Sequence, residues 1–240
     1  MIVDVRVTPL TRSLVAEFVG TASLLLVVVG SGIMAQNLSD DIGLQLLENA
    51  LATGAALAAL ILAFGSVSGA HFNPVVSITD AVFGGISAKV AALYCTVQVV
   101  GAVGGVVLAN LFFELDAVSI SGKDRIGTGT GLAEVVATIG LLLVIFGTVR
   151  SGKEALVPFA VGAYITSAYW FAASTSFANP AVTVGRMFSD TFAGIAPASV
   201  PGFLVAQFVG MALAIGLIAL LFPDAARIAG DVTQRHEELD

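Results

Sequence analysis

The chain has 240 residues, of which 57% are hydrophobic and only 11% charged, with a formal net charge of −7. A soluble domain carries about 25% charged residues, so a mean hydropathy of +0.98 excludes a soluble globular protein and indicates a polytopic helical membrane protein with an apolar surface. One cysteine (Cys95, read as a small packing residue) excludes an internal disulfide framework, and two histidines leave no metal centre to build. No cofactor, no nucleophile–base pair and no nucleic-acid partner are expected.

Residues 1–13 hold Asp4, Arg6, Pro9 and Arg12, and no signal peptide is read there. Full-length apolar segments follow at about 14–36, 46–67, 88–113, 131–149, 156–173 and 200–222. Each approaches the roughly 20 residues needed to cross a bilayer. Two shorter apolar segments, about 74–83 and 180–188, are too short to cross. The linker Glu114–Thr130, with Asp116, Lys123, Asp124 and Arg125, divides one membrane domain into repeats at about 13–113 and 131–222, with a tail at 223–240. The acidic end of that tail (Glu237, Glu238, Asp240) reads as solvated.

The halves match residue for residue. Ala16-Glu17-Phe18-Val19-Gly20-Thr21 corresponds to Ala133-Glu134-Val135-Val136-Ala137-Thr138, and Gln98/Gly101 corresponds to Gln207/Gly210. Three crossings per half are an odd number, so the second half enters the membrane in the opposite sense, as an inverted repeat. Lys and Arg set the orientation. One side would hold Arg6, Arg12, Lys89, Arg150, Lys153, Arg227 and Arg235, and the other Lys123, Arg125 and Arg186, which places both termini in the cytoplasm. Small residues at Gly54/Ala55/Ala58, Gly101/Gly104/Gly105 and Gly162/Ala163 predict close helix packing.

Each short segment begins with Asn-Pro, after a small, polar, strand-like stretch: Ser68-Gly69-Ala70-His71-Phe72-Asn73-Pro74-Val75 and Ser174-Thr175-Ser176-Phe177-Ala178-Asn179-Pro180-Ala181. Asn is a good helix N-cap, and Pro fits the first helical position, where no N–H is needed. Two half-helices beginning at mid-depth point their partial positive ends at each other, which repels cations. The residues before each Asn cannot be helical, and such backbone is tolerated in a membrane only where it is buried or lines a wet cavity. Their carbonyls form a ladder of acceptors for a neutral polar solute.

With these motifs in hand, the chain resembles the aquaporin/major intrinsic protein family over about residues 13–222. The resemblance rests on Ala16–Thr21, Ser68–Pro74 and Asn179-Pro180-Ala181. It implies an all-α membrane protein of six tilted transmembrane helices plus two re-entrant half-helices. It also implies a homotetramer in the lipid bilayer with one pore per subunit, passing water or small uncharged solutes. Family members usually carry Arg three residues after the second Asn; here that residue is Val182, and the first motif reads Asn-Pro-Val at Val75.

Matching positions place Thr53 and Ser176 at the same constriction. The fifth span contributes Tyr169 by one count and Ser167 by another. Thr53, Ser176 and Val182 describe a constriction wider and less charged than a water filter, since losing a guanidinium removes a fixed charge and several donors. Glycerol-like polyols are therefore expected beside water. The Val replacement resembles a bacterial branch linked to arsenic resistance, which implies trivalent arsenic hydroxides as candidate solutes. Arg186 reads either as a displaced vestibule charge or as a side chain that snorkels or pairs with an acid, with Asp80 as its symmetry mate. Intramembrane Glu17 and Glu134 are read as acceptors for the broken segments rather than as proton couplers. His71 is read as lying beside the pore. A water-selective channel, a secondary transporter and a non-conducting scaffold remain the alternatives.

Overall fold

Residues 8–223 are described by a computed structural model, and the charges at Arg6, Arg227 and Arg235 and the tail at 224–240 lie outside them. Eight α-helices follow one another: α1 Pro9–Leu38, α2 Ile42–Ser68, α3 Pro74–Phe83, α4 Ala88–Phe112, α5 Thr128–Arg150, α6 Val157–Phe171, α7 Pro180–Gly185 and α8 Val200–Leu221. Short 3-10 turns occupy Glu154–Leu156, Arg186–Phe188 and Pro197–Ser199. Five of these helices have a side-chain cap, and two of the caps, Asn73 and Asn179, are the ones read from the sequence. Thr8, Asp41 and Ser87 accept from the backbone N–H groups of Thr11, Leu44 and Val90, while Asn73 and Asn179 cap the two short helices.

Five of the helices are long and apolar enough to cross a membrane: α1, α2, α4, α5 and α8 with its leading turn. The sixth expected span, read as 156–173, is shorter. Helix α6 has 15 residues, about 23 Å at 1.5 Å per residue. The chain turns extended at Ala172, because the residues before Asn179 must form a loop, not a helix. Similarly, α7 ends as α-helix at Gly185, and its last turn, Arg186–Phe188, is 3-10. In the first half the helix runs on to Ser68, so that residue closes α2 instead of opening the loop.

Backbone contact between helices follows the small residues, but not all of them. A Cβ on Gly101 would lie 2.5 Å from the Phe18 carbonyl oxygen, and one on Gly105 would overlap that of Ala22, so α4 lies directly on α1. Gly210 repeats this in the second half, 2.7 Å from the Val135 carbonyl oxygen of α5. Between the halves, Gly54 of α2 and Gly162 of α6 face each other's carbonyl oxygens at 2.8 and 2.6 Å. Ala55 and Ala163 are exposed, and a Cβ on Gly104 meets nothing within 4 Å. These three point away from the interfaces, because helix neighbours one position apart diverge by about 100°. Leu24, Leu25, Val28, Leu141, Leu142 and Ile145 form the centre of the buried apolar core.

Gly104 and Gly105 therefore make a matched test. Gly105→Leu should cost about 1–3 kcal/mol through overpacking against α1. Gly104→Ala should be neutral or stabilise by up to about 1 kcal/mol through helix propensity. Thermal unfolding of the two purified variants in detergent measures both effects.

Candidate functional site

The segments before each Asn-Pro are not strands. Gly69, Ala70 and Phe72 have φ of 83°, 49° and 48°, and Thr175, Ser176 and Ala178 have φ of 64°, 52° and 45°. These positions correspond in the two copies. Five of the six are not glycine, and a left-handed non-glycine residue costs about 1–3 kcal/mol. The twist turns the loop N–H groups to one side, where a carboxylate receives them.

In the first half, Glu17 is fully buried and accepts four hydrogen bonds. Ser68 Oγ (2.6 Å) and His71 N (2.9 Å) reach Oε1, while Phe72 N and Gln98 Nε2, both at 2.8 Å, reach Oε2. Glu134 repeats the arrangement. Ser174 Oγ (2.6 Å) and Phe177 N (2.8 Å) reach its Oε1, and Ala178 N (2.8 Å) and Gln207 Nε2 (2.6 Å) its Oε2. Gln98 and Gln207 also donate to Ser77 and Thr183 on the half-helices. Both glutamines sit in the Gln-x-x-Gly pattern that revealed the repeat. Their bonding role was missed because the pattern was read only as a sign of the repeat.

The two asparagines lock the loops to each other. Asn73 Nδ2 donates to the Ala178 carbonyl at 2.8 Å, and Asn179 Nδ2 donates to the Phe72 carbonyl at 2.8 Å. Their Oδ1 atoms cap the half-helices, accepting from Val75 N at 3.1 Å and from Ala181 N at 3.0 Å. Each amide has two N–H groups, so the cross-bond leaves one on each side chain. Pro74 and Pro180 occupy the first helical positions, as read from the sequence.

Both asparagines line one cavity, in which about 60 Å³ is open to the centre of a water-sized sphere. One side of it is aliphatic, with Leu24, Val28, Leu57 and Ile61 from the first half and Leu141, Ile145, Val161 and Ile165 from the second. Ala70, His71, Phe72, Ser176 and Phe177 of the two loops line it as well. Thr53, Tyr169, Ser176 and Val182 all reach this cavity, and the Tyr169 hydroxyl donates to Thr53 Oγ1 at 3.1 Å. Ser167, the competing position on α6, is exposed and donates to the Tyr164 carbonyl. Ser176 Oγ is buried without a hydrogen-bond partner among the described residues. His71 also lines the cavity; its Nδ1 lies 3.1 Å from Ser77 Oγ and its Nε2 3.6 Å from Asp80 Oδ2. Asp80 is fully buried and contributes nothing to the cavity wall.

Arg186 neither snorkels nor pairs with an acid among the described residues. It is 2% exposed, lines the cavity, donates through Nε to the Ala193 carbonyl, and lies 3.6 Å over the Phe177 ring. Arg186 thus shares the cavity with Val182, from four residues further along the chain. The linker between the halves reinforces this end. Lys123 Nζ donates to the Phe192 carbonyl at 2.8 Å, and Arg125 Nε to the Gly194 carbonyl at 2.8 Å. Burial lowers the Lys123 pKa to about 8, with Arg125 and Arg186 adding repulsion. Burial also lowers Arg125, to about 10. These loop contacts had no sequence signal, since Lys123 and Arg125 are far in sequence from 192–194.

Comparison with known proteins agrees with this architecture. The profile of the Major intrinsic protein (MIP) family matches residues 4–176. The chain is 48% identical over 219 residues to the aquaglyceroporin AqpS of Rhizobium meliloti (strain 1021), covering 91% of this chain and 94% of that protein. It is 30% identical over 198 residues to aquaporin Z of Brucella melitensis, covering 76% and 86%. Among solved structures it superposes on the aquaglyceroporin of Plasmodium falciparum with a TM-score of 0.71 at 23% identity, over 90% of this chain and 98% of that one.

The carboxylate geometry has a direct consequence. Glu17→Gln and Glu134→Gln each place an NH2 against N–H donors, and breaking such a buried set costs about 3–5 kcal/mol. Both variants should lose thermal stability and all flux together, at every pH. Loss of a pH-driven component alone, measured in vesicles, would identify a proton-coupling role instead.

Proposed function

Because the chain belongs to the major intrinsic protein family, a family of membrane channels and not of enzymes, we propose that it is a passive channel for water and small uncharged solutes of glycerol size. The observation that carries this reading is the reciprocal asparagine bonding inside a cavity with one aliphatic side and one side of strained loop backbone. A polar solute on that path trades water for loop carbonyls and asparagine N–H groups. The partial positive ends of α3 and α7 repel cations where the helices meet.

The constriction is assigned to Thr53, Tyr169, Ser176 and Val182, all of which reach the cavity. Val182 contributes only apolar surface, so a solute larger than water passes without displacing an arginine. The similarity to a protein described as an aquaglyceroporin supports the same class. Neutral trivalent arsenic hydroxides share the size and hydroxyl chemistry of polyols and belong among the candidates. Both ends of the chain are assigned to the cytoplasm of a cell-membrane protein, since with alternating crossings Arg12, Lys89, Arg150 and Lys153 would share one side and Lys123, Arg125 and Arg186 the other. A homotetramer is the assembly this reading carries, with exposed Leu, Val and Phe residues of the spans facing lipid or neighbouring subunits.

Reconstituted vesicles test the reading. Water, glycerol and arsenite flux should each follow the gradient without saturation and with a low activation energy; saturating flux would instead place the protein among secondary transporters. Val182→Arg narrows the constriction, and glycerol flux should fall about tenfold or more, a barrier rise of about 1.4 kcal/mol, while water flux persists. Unchanged glycerol uptake in that variant overturns the assignment of Val182 to the constriction.

A further inference from the structure

The channel reading leaves one charge without a task. Arg186 is the largest side chain buried below 2–3% exposure, yet it lines the cavity instead of filling the core. Arginine is not deprotonated in proteins and offers five N–H donors in a rigid fork. Only its Nε donor is satisfied, by the Ala193 carbonyl; its terminal amino groups have no hydrogen-bond partner among the described residues. The guanidinium plane is held in place from below by the Phe177 ring, 3.6 Å away. Phe177 lines the same cavity and is itself held through its backbone N–H by Glu134. The charge is therefore fixed in position by two independent contacts and remains open on the side of the lumen.

Its place in sequence explains why this is possible. Arg186 follows Val182 by four residues, so the two share one side of the half-helix. The chain ends its α-helix at Gly185 and tightens into a 3-10 turn at Arg186–Phe188, so Arg186 stands where the half-helix gives way to that turn. Gly185 lets this turn approach α4, with a Cβ there 3.1 Å from that of Ala102. Segment 192–194 then closes over the turn, and its three consecutive carbonyls take Lys123 and Arg125, Arg186, and Arg125 again. Arg125 also lies 5.1 Å from the Phe177 ring. Two guanidinium groups thus share one aromatic ring at the same end of the cavity as Thr53, Tyr169 and Ser176.

We infer that Arg186 is the fixed positive charge of the outer constriction, and that it supplies from one turn further along the half-helix the cation barrier that Val182 does not. This rests on the channel reading above. Arg186 sets charge selectivity, while Val182 leaves the width open, so the two properties that one arginine would join are divided between two residues. A neutral polyol can accept hydrogen bonds from the guanidinium edge as it passes; a cation of the same size is repelled. In a partly dry lumen this repulsion is far stronger than in bulk water.

The experiment compares wild type with Arg186→Leu, Arg186→Gln and Arg186→Lys in vesicles. Each is scored for water flux, glycerol flux and leakage of protons and methylammonium under an imposed potential. In Arg186→Leu and Arg186→Gln the cation leak, normalised to the water flux of the same variant, should rise by about tenfold or more. Arg186→Lys should stay cation-tight. Intact water flux with an unchanged cation leak in the uncharged variants overturns the inference and leaves the channel reading standing. If wild type itself shows no gradient-driven flux, it is the channel reading that fails. Should neither uncharged variant retain water flux, the lysine variant decides. Restored flux with a tight cation barrier supports a charge role, and equal loss in all three shows that the guanidinium plane only packs against Phe177.

Discussion

A buried carboxylate receiving the backbone of a twisted loop is the interaction on which the rest of this structure depends. Each loop contains left-handed residues that the chain would not adopt by itself, at φ between 45° and 83°. Glu17 and Glu134 supply the compensation, each collecting two backbone N–H groups, one serine hydroxyl and one glutamine amide. Charge-assisted hydrogen bonds are worth about 1.5–3 kcal/mol each, which is the scale of the strain they oppose. With the N–H groups turned toward the carboxylates, the loop carbonyls are left for the opposite side. The asparagine cross-bonds then use two of these carbonyls, Phe72 and Ala178, to hold the halves in register.

The repeat is close in its framework and divergent in its charges. Gln98 and Ser77 of the first half become Gln207 and Thr183 in the second with the same bonds. Gly101 and Gly210 press on equivalent carbonyls. Yet the residue seven places after each asparagine is Asp80 in one copy and Arg186 in the other. Each packs against the residue two places before its asparagine, Asp80 on His71 and Arg186 on Phe177. One geometric contact has been kept while its chemistry was reversed. A framework of backbone-directed bonds tolerates such change, because neither the carboxylates nor the asparagines depend on what occupies these two positions.

Legibility in the sequence followed the range of the interaction. The two half-helix starts were readable because caps act over three residues, and the repeat because its glutamate, glutamine and glycine positions recur. Tyr169 could not be chosen over Ser167 by counting, since the loop after α6 has no fixed length. In the structure the hydroxyl bond to Thr53 makes the difference plain. Gly104 was read with its neighbours because composition carries no direction, whereas a helix turns about 100° per residue. Arg186 was the hardest to place. Its position depends on segment 192–194 and on residues 123 and 125 of the linker, contacts between distant parts of the chain that no local pattern announces.

The two-sided lining of the cavity accounts for selection by charge and polarity better than its width does. A solute entering such a path loses water on the aliphatic side, where Leu24, Val28, Leu141 and Ile145 offer nothing in return. Leaving one polar group unpaired costs about 2–7 kcal/mol, and an unpaired ion far more. A solute with hydroxyls arranged along one edge can turn them toward the loops and keep its carbon side against the aliphatic wall. Water pairs on one side at little cost because it is small. An ion cannot keep half of its hydration, and on the proposed reading the half-helix starts and Arg186 offer a cation no replacement for it. On the proposed assignment of Val182 to the constriction, a wider passage there admits larger neutral molecules without admitting charge.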